Sequence, residues 1–127
     1  MKTIIHTKEA PQPIGPYNQA VAAGGFLFIS GQIALDAASG ALVTEDITAE
    51  THTVLKNLKA ILAEAGLTFD HIVKTTIFLA DMNNFGLINE IYGSYFTGNF
   101  PARETVEVSV LPKNVNVEIS AIAVQAL

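Results

Sequence analysis

The sequence predicts an α+β fold, a mixed β-sheet with two helices packed on one of its faces. Two stretches of the chain have the 3.6-residue periodicity of amphipathic helices. Runs of β-branched and aromatic residues lie before, between and after these stretches. The chain has 127 residues, which is a usual size for one domain, so we expect residues 1–127 to form a single unit.

The first predicted element is a β-hairpin. Residues 18–23 form a modest strand candidate, and the apolar run 26–29 follows it. Gly24 and Gly25 separate the two runs and can supply the positive-φ positions of a tight turn. Since the run 26–29 is apolar without alternation, we expect this strand to be covered on both faces.

The clearest element is a helix over residues 47–65. Its apolar residues fall on one stripe at helical spacing, and charged residues such as Glu50 lie mostly off it. Asp46 is a suitable N-cap, and Gly66 stands where a C′ glycine ends a helix. The stripe consists of Ile47, Thr51, Val54, Leu55, Leu58, Ile61, Leu62 and Ala65.

A strand and a second helix follow. Residues 72–79 are rich in β-forming side chains and predict a strand. Asp81 or Asn83 is the expected N-cap of the second helix, and Gly98 lies just beyond its expected end. The apolar stripe of this helix consists of Phe85, Ile88, Tyr92, Tyr95 and Phe96.

Two strands complete the predicted sheet. Alternation of valine with polar residues predicts one strand over 105–111, and residues 112–114 form a turn. The last strand starts at Val115. One of its faces carries Val117, Ile119, Ala121 and Ala123.

Two helices cover only one side of a sheet, and only 15% of the residues are charged, against about 25% in a typical soluble domain. We therefore expect the uncovered side to be an interface between copies of the chain.

The composition argues against several kinds of site and partner. The chain has no cysteine, which excludes disulfides, thiolate metal sites and cysteine nucleophiles. A net charge of −5, from 7 basic and 12 acidic residues, argues against duplex nucleic acid as a partner. No apolar run approaches the ~18 residues of a membrane helix, and no signal-peptide pattern is visible, so we expect a cytoplasmic protein without membrane contact. The three histidines lack metal-ligand spacing.

Arg103 and Glu118 are the first candidates for chemistry. Arg103 is the only arginine of the chain, and its planar fork suits either capture of a carboxylate or phosphate or an ordinary ion pair. Glu118 lies within an apolar strand, where desolvation would raise the pKa of its carboxyl and suit general acid–base catalysis. A cross-strand ion pair or a solvated position on an open face explains this glutamate equally well.

Four other residues are weaker candidates for orienting a polar ligand. Ser30 and Gly31 follow a covered strand, where a hydroxyl and backbone amides can be presented, although such residues also serve turns. Tyr17 either places its ring on a rigid Gly-Pro loop or belongs to a plain turn. Asn89, in the second helix, either reaches a ligand or is simply exposed.

Short motifs from one end of the chain to the other form a recognisable set. They are Ile14-Gly15-Pro16-Tyr17, Ser30-Gly31-Gln32, Val73-Lys74-Thr75-Thr76, Pro101-Ala102-Arg103, Leu111-Pro112-Lys113 and Val117-Glu118-Ile119. In this order and spacing the chain resembles the RidA (YjgF-type) reactive-intermediate deaminases. The Pro-Ala-Arg…Glu tail is the most specific part of the resemblance.

The resemblance implies a chorismate-mutase-like protomer that forms a homotrimer, with the sites in clefts between subunits. It implies hydrolysis of reactive 2-imino acids, such as 2-iminobutanoate and 2-iminopropanoate, to 2-keto acids and ammonia. It also implies that neither a cofactor nor a metal takes part. The alternative is a non-catalytic trimer that senses a small keto or amino acid in the same cleft.

The resemblance also assigns roles to the matched residues. Arg103 would bind the substrate carboxylate, and Glu118 would position or activate the attacking water, so we expect the fold to bring these two side chains close together. The backbone of Thr105 would lie near the reacting water. The residues implied to line the pocket are Tyr17, Ser30, Gly31 and Asn89.

Two positions depart from the family pattern. Glu104 stands where a small residue is common, and Thr105 stands where cysteine is frequent. In an extended strand Glu104 should point away from the side of Arg103. If Glu104 instead folded back onto Arg103, it would compete with the substrate carboxylate. The missing thiol matters less, because the role assigned to that position belongs to the backbone.

Overall fold

The computed structural model describes residues 1–126, in which a six-stranded sheet packs against two α-helices. The strands are β1 (Thr3–Ile5), β2 (Ala20–Ala23), β3 (Phe26–Gln32), β4 (Ile72–Leu79), β5 (Ala102–Glu107) and β6 (Val117–Val124). The helices are α1 (Ile47–Glu64) and α2 (Phe85–Gly93). The strand order is β1-β2-β3-β6-β4-β5, and all neighbours are antiparallel except β4 and β5.

Both helices lie on the same face of this mixed sheet, as the sequence predicts. Helix α1 connects β3 to β4, and α2 makes the crossover that a parallel pair such as β4 and β5 requires. The core lies between the helices and the sheet. Its largest fully buried apolar side chains include Leu27, Leu55, Leu58, Ile61, Leu62, Ile77, Leu79, Ile88 and Ile119. No helix within residues 1–126 is long and apolar enough to cross a bilayer.

The ends of α1 follow the local signals in the sequence. The Asp46 carboxylate accepts a hydrogen bond of 2.7 Å from the amide of Ala49, which satisfies one free N–H of the first turn. At the other end Gly66 has a φ of +76°. The Gly66 and Leu67 amides bond back to the carbonyls of Ala63 and Leu62, which is a Schellman motif.

Alternation along the strands leaves one side of the sheet uncovered, and we call it the open face. Along β6, the predicted core residues are buried, whereas Glu118 and the residues alternating after it are only partly covered. In β3, Leu27 and Ile29 are buried, but Phe26 and Phe28 remain 42% and 46% exposed on the open face. The expectation that this strand is covered on both faces is therefore wrong within one chain.

Strand β5 lies earlier than the valine alternation predicts. It spans Ala102–Glu107 instead of 105–111, because its partner β4 ends at Leu79, which pairs with Glu107. The Val108 amide makes one more bond to the Leu79 carbonyl at 2.9 Å. Beyond that point β4 offers no partner, and Val110 is 64% exposed.

Other boundaries also differ from the sequence-based expectation. The last strand starts at Val117 instead of Val115, since a 3₁₀ turn over Pro112–Asn114 precedes it. Asp81 caps a 3₁₀ turn that leads into α2. Helix α2 ends at Gly93, so the last two members of the predicted stripe, Tyr95 and Phe96, follow the helix, yet both pack against the core. The short strand β1 was not predicted.

Removal of the α1 cap should destabilise the protein. We expect Asp46→Ala to lower the free energy of unfolding by about 1 kcal/mol, because the Ala49 amide loses its acceptor. Chemical denaturation followed by circular dichroism, at one protein concentration, measures this change. The matched control is Glu45→Ala, an exposed position one residue earlier, which we expect to change the value by less than ~0.5 kcal/mol. Equal stabilities of Asp46→Ala and wild type would contradict the prediction.

Candidate active site

Four of the predicted site residues meet at one cavity of about 470 Å³, which we call the Glu118 cavity. They are Tyr17, Ser30, Gly31 and Glu118. Much of the remaining wall is aliphatic and includes Ile14, Ile33 and Leu35. A cavity with apolar walls and a few converging polar groups is the usual form of a small-molecule site.

A β-bulge places Gly31 against the Glu118 carboxyl. In the pairing of β3 with β6, Ser30 and Gly31 together stand opposite a single residue, Ser120. Such a bulge redirects the side chains that follow it. A Cβ atom at position 31 would lie 2.6 Å from Oε2 of Glu118. The absence of a side chain at Gly31 therefore makes room for the carboxyl at this wall.

Ser30 holds the loop that carries Tyr17. The Ser30 hydroxyl donates a hydrogen bond of 2.6 Å to the carbonyl of Asn18, and the Ser30 amide donates to the carbonyl of Gln19 at 2.9 Å. The hydroxyl proton is thus engaged, and the oxygen keeps acceptor capacity toward the cavity. The Tyr17 side chain is about half-exposed, so its ring is accessible to a ligand.

The Glu118 carboxyl is a half-buried titratable group without a counter-charge. No ion pair and no hydrogen bond to this carboxyl is present among residues 1–126, so the cross-strand ion pair considered above is not found there. Burial raises the pKa of Glu118 above its ordinary value of 4.5. A carboxyl whose pKa is raised toward the working pH can both donate and accept a proton in one catalytic cycle.

Two buried amides hold other walls of the Glu118 cavity. The Gln19 side chain accepts a bond from the Thr7 amide at 2.7 Å and donates to the carbonyls of Thr7 and Pro11. From α1, the Asn57 side chain donates to the carbonyls of Ile33 and Leu35 at 3.2 and 3.0 Å. These contacts fix the segments that line the cavity on either side.

These framing residues were missed by the sequence analysis, although α1 contains a signal for them. The expectation that Glu50 lies off the apolar stripe is wrong, because Glu50 and Asn57 share helical spacing with Val54 and Ile61 and are buried with them. Polar residues within an apolar stripe must find buried partners, because an unsatisfied polar group in the core is costly. No comparable signal marks Gln19, whose partners lie in an irregular loop.

Arg103 lies at a second cavity of about 430 Å³, which we call the Arg103 cavity and which Asn89 also lines. Its Nη1 donates a hydrogen bond of 2.6 Å to Oδ1 of Asn89. The guanidinium carbon lies 5.4 Å from the ring centre of Phe85 and 5.2 Å from that of Tyr92, which is cation–π geometry. All these partners are neutral, so the positive charge of Arg103 stays available to an anion.

Glu104 points away from Arg103, as strand alternation predicts. Its carboxylate lies 3.1 Å from Nζ of Lys74 and accepts a hydrogen bond from the hydroxyl of Thr76. These two hydrogen bonds, first that of Thr76 and then that of Lys74, lower the pKa of Glu104. Competition between Glu104 and a substrate for Arg103 therefore does not arise in this arrangement.

Arg103 and Glu118 lie on opposite faces of the sheet. Arg103 pairs with Thr75 of β4, and Glu118 pairs with Phe78 of the same strand. Thr75 and Phe78 are three residues apart, so their side chains point to opposite sides. Strand spacing and rise place the two backbone positions ~14 Å apart. The expectation that the fold of one chain brings these two side chains together is wrong, whereas a site shared between subunits stays a prediction.

Thr105 lies on β5 opposite Ile77 and lines neither of the two cavities. Its hydroxyl is buried and has no hydrogen-bond partner among the described residues. The role expected for this position belongs to its backbone and stays a prediction.

Two of the three histidines have hydrogen-bond partners. His52 Nδ1 lies 2.7 Å from the hydroxyl of Tyr95, and the His71 ring contacts Thr68. Over residues 1–126, no three side chains of His, Cys, Asp or Glu form a group that could hold a metal ion.

Comparison with known proteins gives similarities along nearly the whole chain. A family model described as endoribonuclease L-PSP matches residues 7–125. The mouse (Mus musculus) 2-iminobutanoate/2-iminopropanoate deaminase is 50% identical, over 98% of this chain and 93% of its own length. The crystal structure of YyfA, a Rid-family protein of unknown function from Yersinia pestis, matches with a TM-score of 0.95 and 53% identity, covering 98% of this chain and 99% of that one.

A further solved structure is that of Escherichia coli TdcF, described as having bound serine. It matches with a TM-score of 0.93 and 42% identity, and the match covers 98% of this chain and 99% of the TdcF chain. At such coverage and identity, the relatives share the complete fold described above.

A methyl group at position 31 should displace the Glu118 carboxyl. We expect Gly31→Ala to push this flexible side chain into the open volume of the cavity, because the new Cβ would overlap Oε2. There water hydrates the carboxylate, so the raised pKa of Glu118 should fall toward its ordinary value. Carboxyl ¹³C NMR titration measures the change.

The matched control for this prediction is Gly86→Ala in α2. A Cβ at Gly86 meets nothing within 4 Å, so the pKa of Glu118 should not move. Stability should rise by up to about 1 kcal/mol, because alanine is the better helix former. An unchanged pKa in Gly31→Ala would contradict the close approach of the carboxyl to the bulge.

Proposed function

Since the chain belongs to the endoribonuclease L-PSP family, also called the YjgF/RidA family, we propose that it hydrolyses 2-imino acids to 2-keto acids and ammonia. The name of the mouse relative supports 2-iminobutanoate and 2-iminopropanoate as substrates. The observation that carries the proposal is the unpaired Glu118 carboxyl, half-buried at a cavity of suitable size for a small acid.

A small-molecule substrate fits the charge of the chain better than a polynucleotide does. The description of the family model names an endoribonuclease. Binding of an RNA backbone relies on many lysines and arginines, whereas this chain has a net charge of −5 and a single arginine. One guanidinium is enough for one carboxylate.

The reaction needs one oriented water and one group that moves protons. The C2 atom of a protonated 2-imino acid is electrophilic, so water can add to it without a stronger nucleophile. As the new C–O bond forms, the Glu118 carboxylate accepts a proton from the water. The carboxyl then returns this proton to nitrogen, the C–N bond breaks, and ammonia leaves. The Glu118 carboxylate accepts the remaining hydroxyl proton and passes it to solvent, which gives the 2-keto acid.

Arg103 would anchor the substrate through its carboxylate. The guanidinium can donate two parallel hydrogen bonds to that group, which fixes the orientation of C2 as well as its distance. Asn89 and the two aromatic rings hold the guanidinium without neutralising it. Binding of the substrate carboxylate by Arg103 would thereby orient C2 for attack by water.

A second copy of the chain would complete the site. Arg103 and Glu118 cannot reach the same substrate within one chain, because they lie on opposite faces of the sheet. Exposed apolar side chains on the open face, such as Phe26 and Phe28, favour coverage by another copy. Repeated contact of the Arg103 side of one copy with the Glu118 side of the next closes into a ring, as in a homotrimer.

Activity should be measurable with an imine made in the assay. An amino-acid oxidase acting on alanine supplies 2-iminopropanoate, and semicarbazide competes for it. We expect the protein to accelerate pyruvate release and to lower the yield of the imine adduct. Arg103→Ala should lower kcat/KM by about 100-fold or more, since both orientation and affinity are lost.

Two further variants control for the charge of Arg103. Arg103→Lys keeps the charge but loses the planar fork, so we expect an intermediate loss. Lys56→Ala removes one positive charge from an exposed position of α1 and should keep wild-type activity. Near-normal turnover in Arg103→Ala would contradict the anchor role.

Ligand binding without turnover is the second candidate function. The bound serine described for E. coli TdcF favours it, because it indicates that a relative of this fold accommodates a small amino acid. The same assay separates the two functions. No acceleration of pyruvate release at stoichiometric protein, together with calorimetric binding of serine or pyruvate, would favour the sensor.

A mixing experiment tests whether the site is shared between copies. Arg103→Ala and Glu118→Gln should each be inactive. Subunit exchange in an equal mixture should restore about a quarter of wild-type activity, because about one interface in four then combines an intact Arg103 with an intact Glu118. Arg103→Ala mixed with the double variant Arg103→Ala/Glu118→Gln is the control and should stay inactive. No recovery in the first mixture, with exchange verified by native mass spectrometry, would contradict a shared site.

A further inference from the structure

Glu50 is a fully buried carboxylate that the proposed reaction does not use. It lies in the first turn of α1, where the helix dipole favours negative charge. Its Oε2 accepts hydrogen bonds from the amides of Asn116 at 2.7 Å and Val117 at 3.1 Å. Its Oε1 accepts a bond of 2.7 Å from Nδ2 of Asn116. Both oxygens are therefore committed to one segment, 66 residues further along the chain.

That segment leads directly into the functional carboxyl. Asn116 and Val117 are the two residues before Glu118, and β6 begins at Val117. On its other side the carbonyl of Asn116 accepts a bond of 3.1 Å from the Ala80 amide, just beyond β4. The backbone that carries Glu118 is thus held from the helix layer and from the sheet at the same point.

The Glu118 side chain has little else to position it. None of the described residues makes a hydrogen bond or ion pair with its carboxyl. Its location depends on its backbone and on its contact with the bulge at Gly31. Displacement of a catalytic group by about 1 Å is enough to lower a rate by about 100-fold. Hydrogen bonds at the start of β6 therefore bear directly on where the Glu118 carboxyl lies.

We propose that Glu50 is a positioning residue for Glu118, acting through its three hydrogen bonds to Asn116 and Val117 at the start of β6. The proposal rests on the proposed function, because it assigns a second residue to the same site. Glu50 does not contact substrate. It holds the strand in the position that keeps the Glu118 carboxyl against the bulge and in its cavity.

Hydrogen-bond chemistry distinguishes conservative from disruptive changes at this position. In Glu50→Gln, the amide oxygen can still accept from the two backbone amides. If the Asn116 side-chain amide turns over, its oxygen can accept from the new Gln nitrogen, so all three bonds survive. Glu50→Met has a similar length but no comparable acceptor, so two backbone N–H groups lose their partner.

The experiment compares these variants with wild type in the intact protein. We expect Glu50→Met to lower kcat for 2-iminopropanoate by about ten-fold or more, with KM changed by less than about three-fold. The raised pKa of Glu118, followed by carboxyl ¹³C NMR, should fall toward its ordinary value as the loosened strand start admits water. Glu50→Gln should stay within about two-fold of wild type in kcat and keep the raised pKa.

The matched control is Thr51→Val, the next residue of α1. Thr51 is also fully buried, and its hydroxyl makes no hydrogen bond among the described residues. Its replacement changes the packing of the same helix turn without touching the start of β6. We expect wild-type kcat and an unchanged pKa of Glu118.

Several outcomes would overturn the proposal. These are a wild-type kcat and Glu118 pKa in Glu50→Met, or equal losses in the Gln and Met variants. If Glu50→Met does not fold, Asn116→Ala removes only the Nδ2 donor and should lower kcat by about three-fold; no decrease would overturn the proposal. An inactive wild type would refute the proposed function instead, and the Glu118 pKa would still decide whether Glu50 positions that group.

Discussion

Helices cover this sheet on one side only, and most other features of the molecule follow from that arrangement. Each of the central strands β3, β6 and β4 has a core side and an open side, and the alternation of side chains along the strand decides which residues lie on each. Ile119 is buried in the core, whereas the neighbouring Glu118 belongs to the open face. The same rule places Arg103 on the helix side of the sheet. The same strand geometry therefore buries the core and separates Arg103 from Glu118.

Buried polar side chains define the parts of the molecule that apolar packing does not. Gln19, Glu50 and Asn57 are each at most 5% exposed, and each bonds to backbone in a loop or at a strand end. Leaving such groups unpaired in the core is costly, so their partners are held in one arrangement. The Glu118 cavity consists largely of connecting segments, and these three side chains give those segments a fixed geometry.

Neither Arg103 nor Glu118 is neutralised by a neighbouring charge among the described residues. Glu104 is satisfied by Lys74 and Thr76 on the open face, so it does not neutralise Arg103. Arg103 is held by an amide oxygen and two aromatic faces, which orient a guanidinium while leaving its charge. Glu118 makes no ion pair within residues 1–126, and burial raises its pKa. Arg103 and Glu118 are the two groups that the proposed hydrolysis would use.

Local patterns in the chain were enough to predict both helices, the buried face of β6, and Arg103 and Glu118 as candidates. Periodicity, the Asp46 cap and the C′ glycine at 66 act within a few residues, so their effect can be inferred without the rest of the chain. The end of β5, the hydrogen bonds of Glu50 to the start of β6 and the positions of Arg103 and Glu118 on opposite faces could not be inferred in this way. They depend on which strands pair and in which register, and that pairing joins segments far apart in sequence.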